Sequence, residues 1–93
     1  MNKYEIMFIV RPEVEEEARN QMLESFKTIL TADGGSVDLV DDWGLKELAY
    51  EIQHLKRGYY TVLEVTTPSA NVIEFERVAR INANIIRYIT IRK

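Results

Sequence analysis

The chain has 93 residues, with 12 lysines and arginines against 15 aspartates and glutamates, and 46% of its residues are apolar. This composition is typical of one globular domain over residues 1–93 and excludes a disordered or fibrous chain. With no cysteine and one histidine, His54, the sequence excludes disulfides and thiol catalysis and argues against a metal site. No apolar run reaches the roughly 20 residues that span a bilayer. We therefore expect a cytoplasmic location without membrane contact.

The first third of the sequence predicts a strand followed by a helix. Apolar residues alternate from Met1 to Val10, which is typical of a strand. Arg11-Pro12 then ends the strand, because proline cannot donate a hydrogen bond to a sheet. Apolar residues recurring at helical spacing predict a helix from about Glu13 to Ala32, and Gly34-Gly35 supplies its stop.

The middle of the sequence predicts a hairpin of two strands. The second strand begins at Val37 to Val40, is interrupted by a bulge or bend at Asp41 to Gly44, and resumes over Leu48 to Ile52. A polar turn is predicted over Gln53 to Gly58. Tyr59 to Thr67 is rich in β-branched and aromatic residues and predicts the third strand.

The last third predicts a second helix and a final strand. Pro68-Ser69 opens the helix, with Ser69 as its N-cap, and Asn82 to Asn84 follows its end. Ile85 to Ile91 is the fourth strand. The order β-α-β-β-α-β predicts an α+β, ferredoxin-like fold, in which a four-stranded antiparallel sheet carries two helices on one face.

The sheet face without helices is predicted to be apolar in part. Such a face is normally polar, yet the strands carry apolar side chains on both sides. A contiguous exposed apolar patch usually marks an interface, although single apolar residues are also common on surfaces. The candidates for binding a protein partner are Met7, Ile9, Tyr59, Ile89 and Ile91.

No catalytic constellation can be drawn from the sequence. The carboxylates at Glu15 to Glu17 and at Asp41-Asp42 fall at a helix start and at a strand interruption, where solvated charge is normal. Gly34-Gly35 lacks the lysine and hydroxyl residue of a phosphate-binding loop. We therefore predict a protein that is not an enzyme, with no cofactor and no small-molecule substrate.

Basic residues concentrate in the second part of the chain. Residues 1–55 carry 5 basic and 12 acidic side chains, whereas residues 56–93 carry 7 basic and 3 acidic ones. The cations near the end of the second helix favour contact with phosphates, or simply complement the helix dipole. Arg57 to Glu64 matches the RNA-recognition-motif signature only in part. A single-stranded RNA binder that stacks bases on Tyr59 is one alternative, and an oligomerisation or regulatory domain is another.

Four segments together carry a resemblance to a known family. They are Trp43 to Ile52, with its Leu-Ala-Tyr sequence, Tyr4 to Pro12, Arg57 to Tyr60, and Glu74 to Arg77 followed by Ile85 to Arg87. Over essentially its whole length the chain resembles the bacterial small-subunit ribosomal protein number six family. The resemblance implies the same ferredoxin-like fold and a structural role. It also implies binding to the central domain of small-subunit ribosomal RNA, paired with ribosomal protein number eighteen.

The resemblance and the basic cluster together give candidate RNA-binding residues. The resemblance implies RNA contact at Lys3, Lys46, Arg80 and Arg87. Leu48 and Tyr50, within the most specific of the four segments, are interpreted as core residues.

Overall fold

The computed structural model describes residues 1–93 as one sheet with two helices. The strands are β1 (Asn2–Val10), β2 (Ser36–Ile52), β3 (Leu55–Thr67) and β4 (Ile85–Arg92), and the helices are α1 (Glu16–Thr31) and α2 (Ser69–Ile81). All neighbouring strands pair antiparallel, in the order β2-β3-β1-β4. This arrangement confirms the predicted ferredoxin-like fold. Neither helix combines the length and apolarity needed to cross a bilayer.

The core lies between the helices and one face of the sheet. Alternate residues of β1, among them Ile6 and Phe8, point toward the helices and are fully or almost fully buried. The ring of Phe26 on α1 packs edge-to-face on Phe8, with centroids 5.2 Å apart, and on Phe75 of α2, with centroids 4.9 Å apart. Aromatic pairs favour this geometry. Because both helices pack against this face, the opposite face of the sheet is not covered by a helix.

A buried polar cluster joins the end of α1 to the start of α2. The Thr67 hydroxyl donates to the carbonyl of Leu30 at 2.7 Å. The side-chain amide of Asn71 donates to the carbonyl of Ala32 at 2.8 Å and to the Thr67 hydroxyl at 2.9 Å. These bonds satisfy carbonyl groups that the end of a helix leaves without partners.

Both helices begin differently from the prediction. Helix α1 begins at Glu16 rather than Glu13, because the amide of Val14 donates to the carbonyl of Arg11 at 3.2 Å and closes a turn first. At α2 the N-cap position is occupied by Pro68, without a side-chain cap. The prediction of Ser69 as the N-cap is therefore wrong, since Ser69 is already helical.

The hairpin turn is shorter than predicted. β2 continues to Ile52 and β3 begins at Leu55, so that only Gln53 and His54 form the turn, with φ angles of 51° and 64°. Two positive φ angles are what a two-residue hairpin turn requires. The predicted turn over Gln53 to Gly58 is therefore wrong. The predicted bulge is confirmed, because the register of β2 against β3 shifts between Asp42 and Gly44.

Candidate functional site: the open sheet face and its basic end

The candidate site is the sheet face that points away from the helices. Successive side chains of a strand point to opposite faces, so the residues between the core positions of β1 point outward. The register places their neighbours on β3 and β4 beside them. We call this surface the open face; its members on these strands are Lys3, Glu5, Met7, Ile9, Gly58, Tyr60, Val62, Glu64, Thr66, Arg87, Ile89 and Ile91.

The middle of the open face is apolar. Met7 of β1 lies opposite Val62 of β3 and opposite Ile89 of β4, so that three strands contribute neighbouring apolar side chains. Ile91, next along β4, is 53% exposed. The apolar patch expected on the uncovered face is therefore present. Contiguous exposed apolar surface is typical of interaction sites.

Two of the predicted partner-binding residues are not available there. Tyr59 packs against the core on the helical side, and the guanidinium of Arg19 lies 3.6 Å from the centre of its ring. The placement of Tyr59 on the open face is therefore wrong. Its neighbour Tyr60 occupies the open face instead and stacks on Trp43, with ring centroids 6.2 Å apart. Ile9 does lie on the open face but is only 3% exposed, so it offers a partner almost no surface.

One end of the open face carries two carboxylates that are paired with a lysine. Glu5 and Glu64 lie directly opposite each other. The Lys93 ammonium group bonds Glu64 and lies 3.4 Å from Glu5. These contacts raise the pKa of Lys93, chiefly through the hydrogen bond to Glu64. Lys3 belongs to this end of the sheet, since it pairs with Thr66.

The remaining predicted cations lie toward the other end of the molecule, Lys46 and Arg87 on the open face and Arg80 on α2. Lys46 lies opposite Gly58, and Arg87 lies opposite Ile9 at the same end of β1. Arg80 is in the last turn of α2, just before the connection that leads back to this end. We call Lys46, Arg80 and Arg87, all exposed, the basic end. Lys3 precedes Ile9 by six residues in β1. Six strand residues span about 20 Å, so Lys3 is about that far from the basic end.

The hairpin of β2 and β3 extends beyond the rest of the sheet. The last residue of β1, Val10, pairs with Tyr59, so residues 46–57 project past it; we call them the hairpin arm. Arg87 donates to the Tyr50 hydroxyl at 2.5 Å, and Arg11 donates to the side-chain carbonyl of Gln53 at 3.1 Å. Both contacts hold the hairpin arm to the end of the sheet.

Neither residue of the Leu-Ala-Tyr segment that was interpreted as core is fully buried. Tyr50 is 61% exposed, and Leu48 is half-buried. The core interpretation of Tyr50 is wrong, because the hairpin arm projects past the helices that would cover it. The contact between Tyr50 and Arg87 joins residues 37 positions apart and leaves no local signal in the sequence.

The fold is ferredoxin-like, and its open face carries an apolar patch beside exposed cations. Comparison with known proteins identifies its family. The sequence matches the family model for Ribosomal protein S6 over residues 3–92. The crystal structure of 30S ribosomal protein S6 from Thermotoga maritima superposes with a TM-score of 0.91 and 36% sequence identity, covering 99% of this chain and 87% of that chain.

The chain therefore belongs to the ribosomal protein S6 family. It is a structural component of the small ribosomal subunit and is not an enzyme. Membership confirms the resemblance drawn from the sequence and the expected location on the ribosome.

Proposed function

We propose that the chain binds the central domain of small-subunit ribosomal RNA together with ribosomal protein number eighteen. The basic end contacts RNA, and the apolar part of the open face contacts the protein partner. The observation that carries the proposal is the position of Lys46 and Arg87, which are exposed at the end of the open face that borders the apolar patch. Arg80 is exposed in the last turn of α2, toward the same end of the molecule. The two binding surfaces are therefore adjacent.

The RNA surface depends on cations that are free to meet phosphate. Neutralisation of phosphates supplies most of the affinity of such contacts. Arg77, close to Arg80 on α2, donates two hydrogen bonds to Glu74, at 2.6 and 3.0 Å. Its charge is thus partly matched within the protein, whereas Arg80 forms no ion pair. With so few available cations, RNA binding by this chain alone is expected to be weak. A contact at Lys3 would be separate, at the opposite end of the sheet.

The protein surface depends on apolar side chains that the helices do not cover. Met7 and Ile89 are half-buried neighbours, and Ile91 is 53% exposed beside them. A partner seated on these residues removes apolar area from water, which favours association. Two weak surfaces joined in one complex then bind RNA more tightly than either does separately, because the second contact becomes intramolecular.

RNA binding is tested by measuring the salt dependence of affinity. We expect Arg80→Ala and Arg87→Ala each to weaken binding to central-domain RNA, in the presence of the partner protein. Each is also expected to reduce the slope of log affinity against log salt by about one. The matched control is Arg92→Ala, which removes an arginine from β4 that bonds Asn2 at the opposite end. Slopes that stay unchanged, or that fall equally in the control, would contradict the proposed RNA surface.

Partner binding is tested by placing a charge on the open face. Ile91→Lys is expected to weaken binding of ribosomal protein number eighteen roughly tenfold or more, because an interface that buries an unpaired ammonium group loses stability. The fold is expected to survive, since Ile91 is 53% exposed and a longer side chain there can extend into water in the free protein. The matched control is Ile73→Lys on α2, where the isoleucine is 66% exposed on the other side of the molecule. Calorimetric titration measures both affinities, and equal losses would place the interface elsewhere.

A further inference from the structure

Tyr50 and Arg87 form an exposed hydrogen bond between two distant elements. The bond runs from Nη1 of Arg87, near the start of β4, to the hydroxyl of Tyr50 on the hairpin arm, at 2.5 Å. Tyr50 is 61% exposed and is not part of the core. The bond therefore connects two surface groups at the basic end.

The acceptor on Arg87 is a neutral hydroxyl group, whereas Arg11 and Arg77 bond carboxylates. Arg11 is paired with Glu13 at 2.7 Å, and Arg77 is paired with Glu74 at 2.6 Å. A carboxylate partner holds a guanidinium in place but also cancels its charge. A phenolic hydroxyl holds the group without cancelling the charge. Since a guanidinium carries five N–H donors, the bond to Tyr50 leaves four of them for another ligand.

We infer that Tyr50 is a positioning residue for RNA binding, whose hydroxyl fixes the Arg87 guanidinium in the orientation that receives a phosphate. The inference rests on the proposed RNA contact at Arg87. A free arginine side chain loses conformational freedom when it binds, and fixing it beforehand reduces that loss. The same bond keeps the hairpin arm, with Lys46, beside the start of β4. Lys46 and Arg87 are thereby presented as one surface.

The test is a double-mutant cycle measured on the complex of the chain with ribosomal protein number eighteen and central-domain RNA. Tyr50→Phe keeps the ring and removes the hydroxyl, and is expected to weaken RNA binding roughly three- to tenfold. Its salt slope stays that of the unmodified chain, because no charge is lost. Arg87→Ala lowers the slope by about one. The double variant is expected to bind as Arg87→Ala does, because the hydroxyl acts only through Arg87.

The control and the opposing outcomes separate this inference from the proposed function. Tyr88→Phe removes a hydroxyl from the helical side of β4, where the ring packs edge-to-face on Phe75, and is expected to leave RNA affinity unchanged. If Tyr50→Phe weakens binding equally in the Arg87→Ala background, or strengthens binding, the positioning role is overturned while the RNA contact stands. If Arg87→Ala itself has no effect, the proposed RNA contact fails, and the positioning role fails with it.

Discussion

Gly58 occupies a point in β3 where a side chain has no room, and Gly58→Ala is expected to destabilise the fold. A Cβ atom at this position would lie 2.4 Å from Cγ2 of Ile9, 3.2 Å from the carbonyl oxygen of Val10 and 3.3 Å from Cδ1 of Ile86. The Cγ2 atom of Ile9 is attached directly to Cβ, and Ile9 is only 3% exposed. The contact therefore cannot be relieved by rotating a flexible chain end, and the strands must shift.

The size of the effect follows from two opposing contributions. Overpacking a well-packed position costs about 1–3 kcal/mol. Replacing glycine by alanine within a strand stabilises the folded state by about 0.5–1 kcal/mol, because the unfolded chain then loses less conformational entropy on folding. Because the 2.4 Å contact is severe, the steric cost lies in the upper part of the overpacking range, at about 2–3 kcal/mol, and the free energy of unfolding is expected to fall by about 1–2 kcal/mol. For a chain of 93 residues this corresponds to a Tm lower by about 4–16 °C.

Thermal and urea unfolding followed by circular dichroism measure the change. Gly58 does not have a positive φ angle, so the expected cost there is steric. Gly44→Ala provides the contrasting control, because Gly44 has a φ of 74° and nothing within 4 Å of its Cβ position, so it measures backbone strain without a clash. A second control combines Gly58→Ala with Ile9→Ala, which removes the clashing atom, so the cost of Gly58→Ala should largely disappear. A Gly58→Ala chain as stable as the parent, or an undiminished cost beside Ile9→Ala, would refute the steric argument.

Two further predictions concern hydrogen bonds. Asn71→Ala removes the bond to the carbonyl of Ala32 and is expected to lower the free energy of unfolding by about 1–3 kcal/mol; a urea midpoint within error of the parent would contradict this. Thr66→Val is expected to raise the pKa of Asp38, because the Thr66 hydroxyl bonds that carboxylate at 2.6 Å and is the main cause of its lowered pKa. A lowered pKa in the folded chain contributes stability above the unfolded pKa, and that contribution is lost as pH falls through the folded value. The variant should therefore lose less stability on acidification. A carboxyl NMR titration measures the pKa, and an unchanged value would contradict the prediction.

The element order could be predicted because its signals are local. Phe26 and Leu30 recur at helical spacing, and β1 alternates over its whole length, so neither pattern depends on distant residues. The hairpin turn could not be placed in this way. Gln53 and His54 adopt positive φ angles although neither is a glycine. The sequence therefore contains no sign of a turn at these two residues, and the predicted turn extends to the nearest glycine, Gly58. Its absent side chain instead makes room for Ile9.

The sequence could not predict which side of the sheet a strand residue points to wherever neighbouring residues were chemically alike. Tyr59 and Tyr60 are both aromatic, and a period of two predicts that they point in opposite directions without saying which points to the helices. The structure settles this through α1, whose Arg19 lies over Tyr59. Tyr50 was interpreted as a core residue for a related reason. No local pattern in the sequence indicates how far β2 and β3 extend past the end of β1.

The acidic composition of the chain is compatible with RNA binding because many of its carboxylates lie on the helical side of the sheet. Two carboxylates of the open face, Glu5 and Glu64, are paired with Lys93. Glu16, at the start of α1, borders a groove on the helical side together with Asp42 and Tyr59. Lys46 and Arg87 lie on the opposite side, at the basic end. Layers of packed secondary structure are about 10 Å apart, and the Debye length at physiological ionic strength is about 8 Å. The carboxylates of the helical side are therefore largely screened from a phosphate at the basic end, and the local arrangement of charges outweighs the net charge.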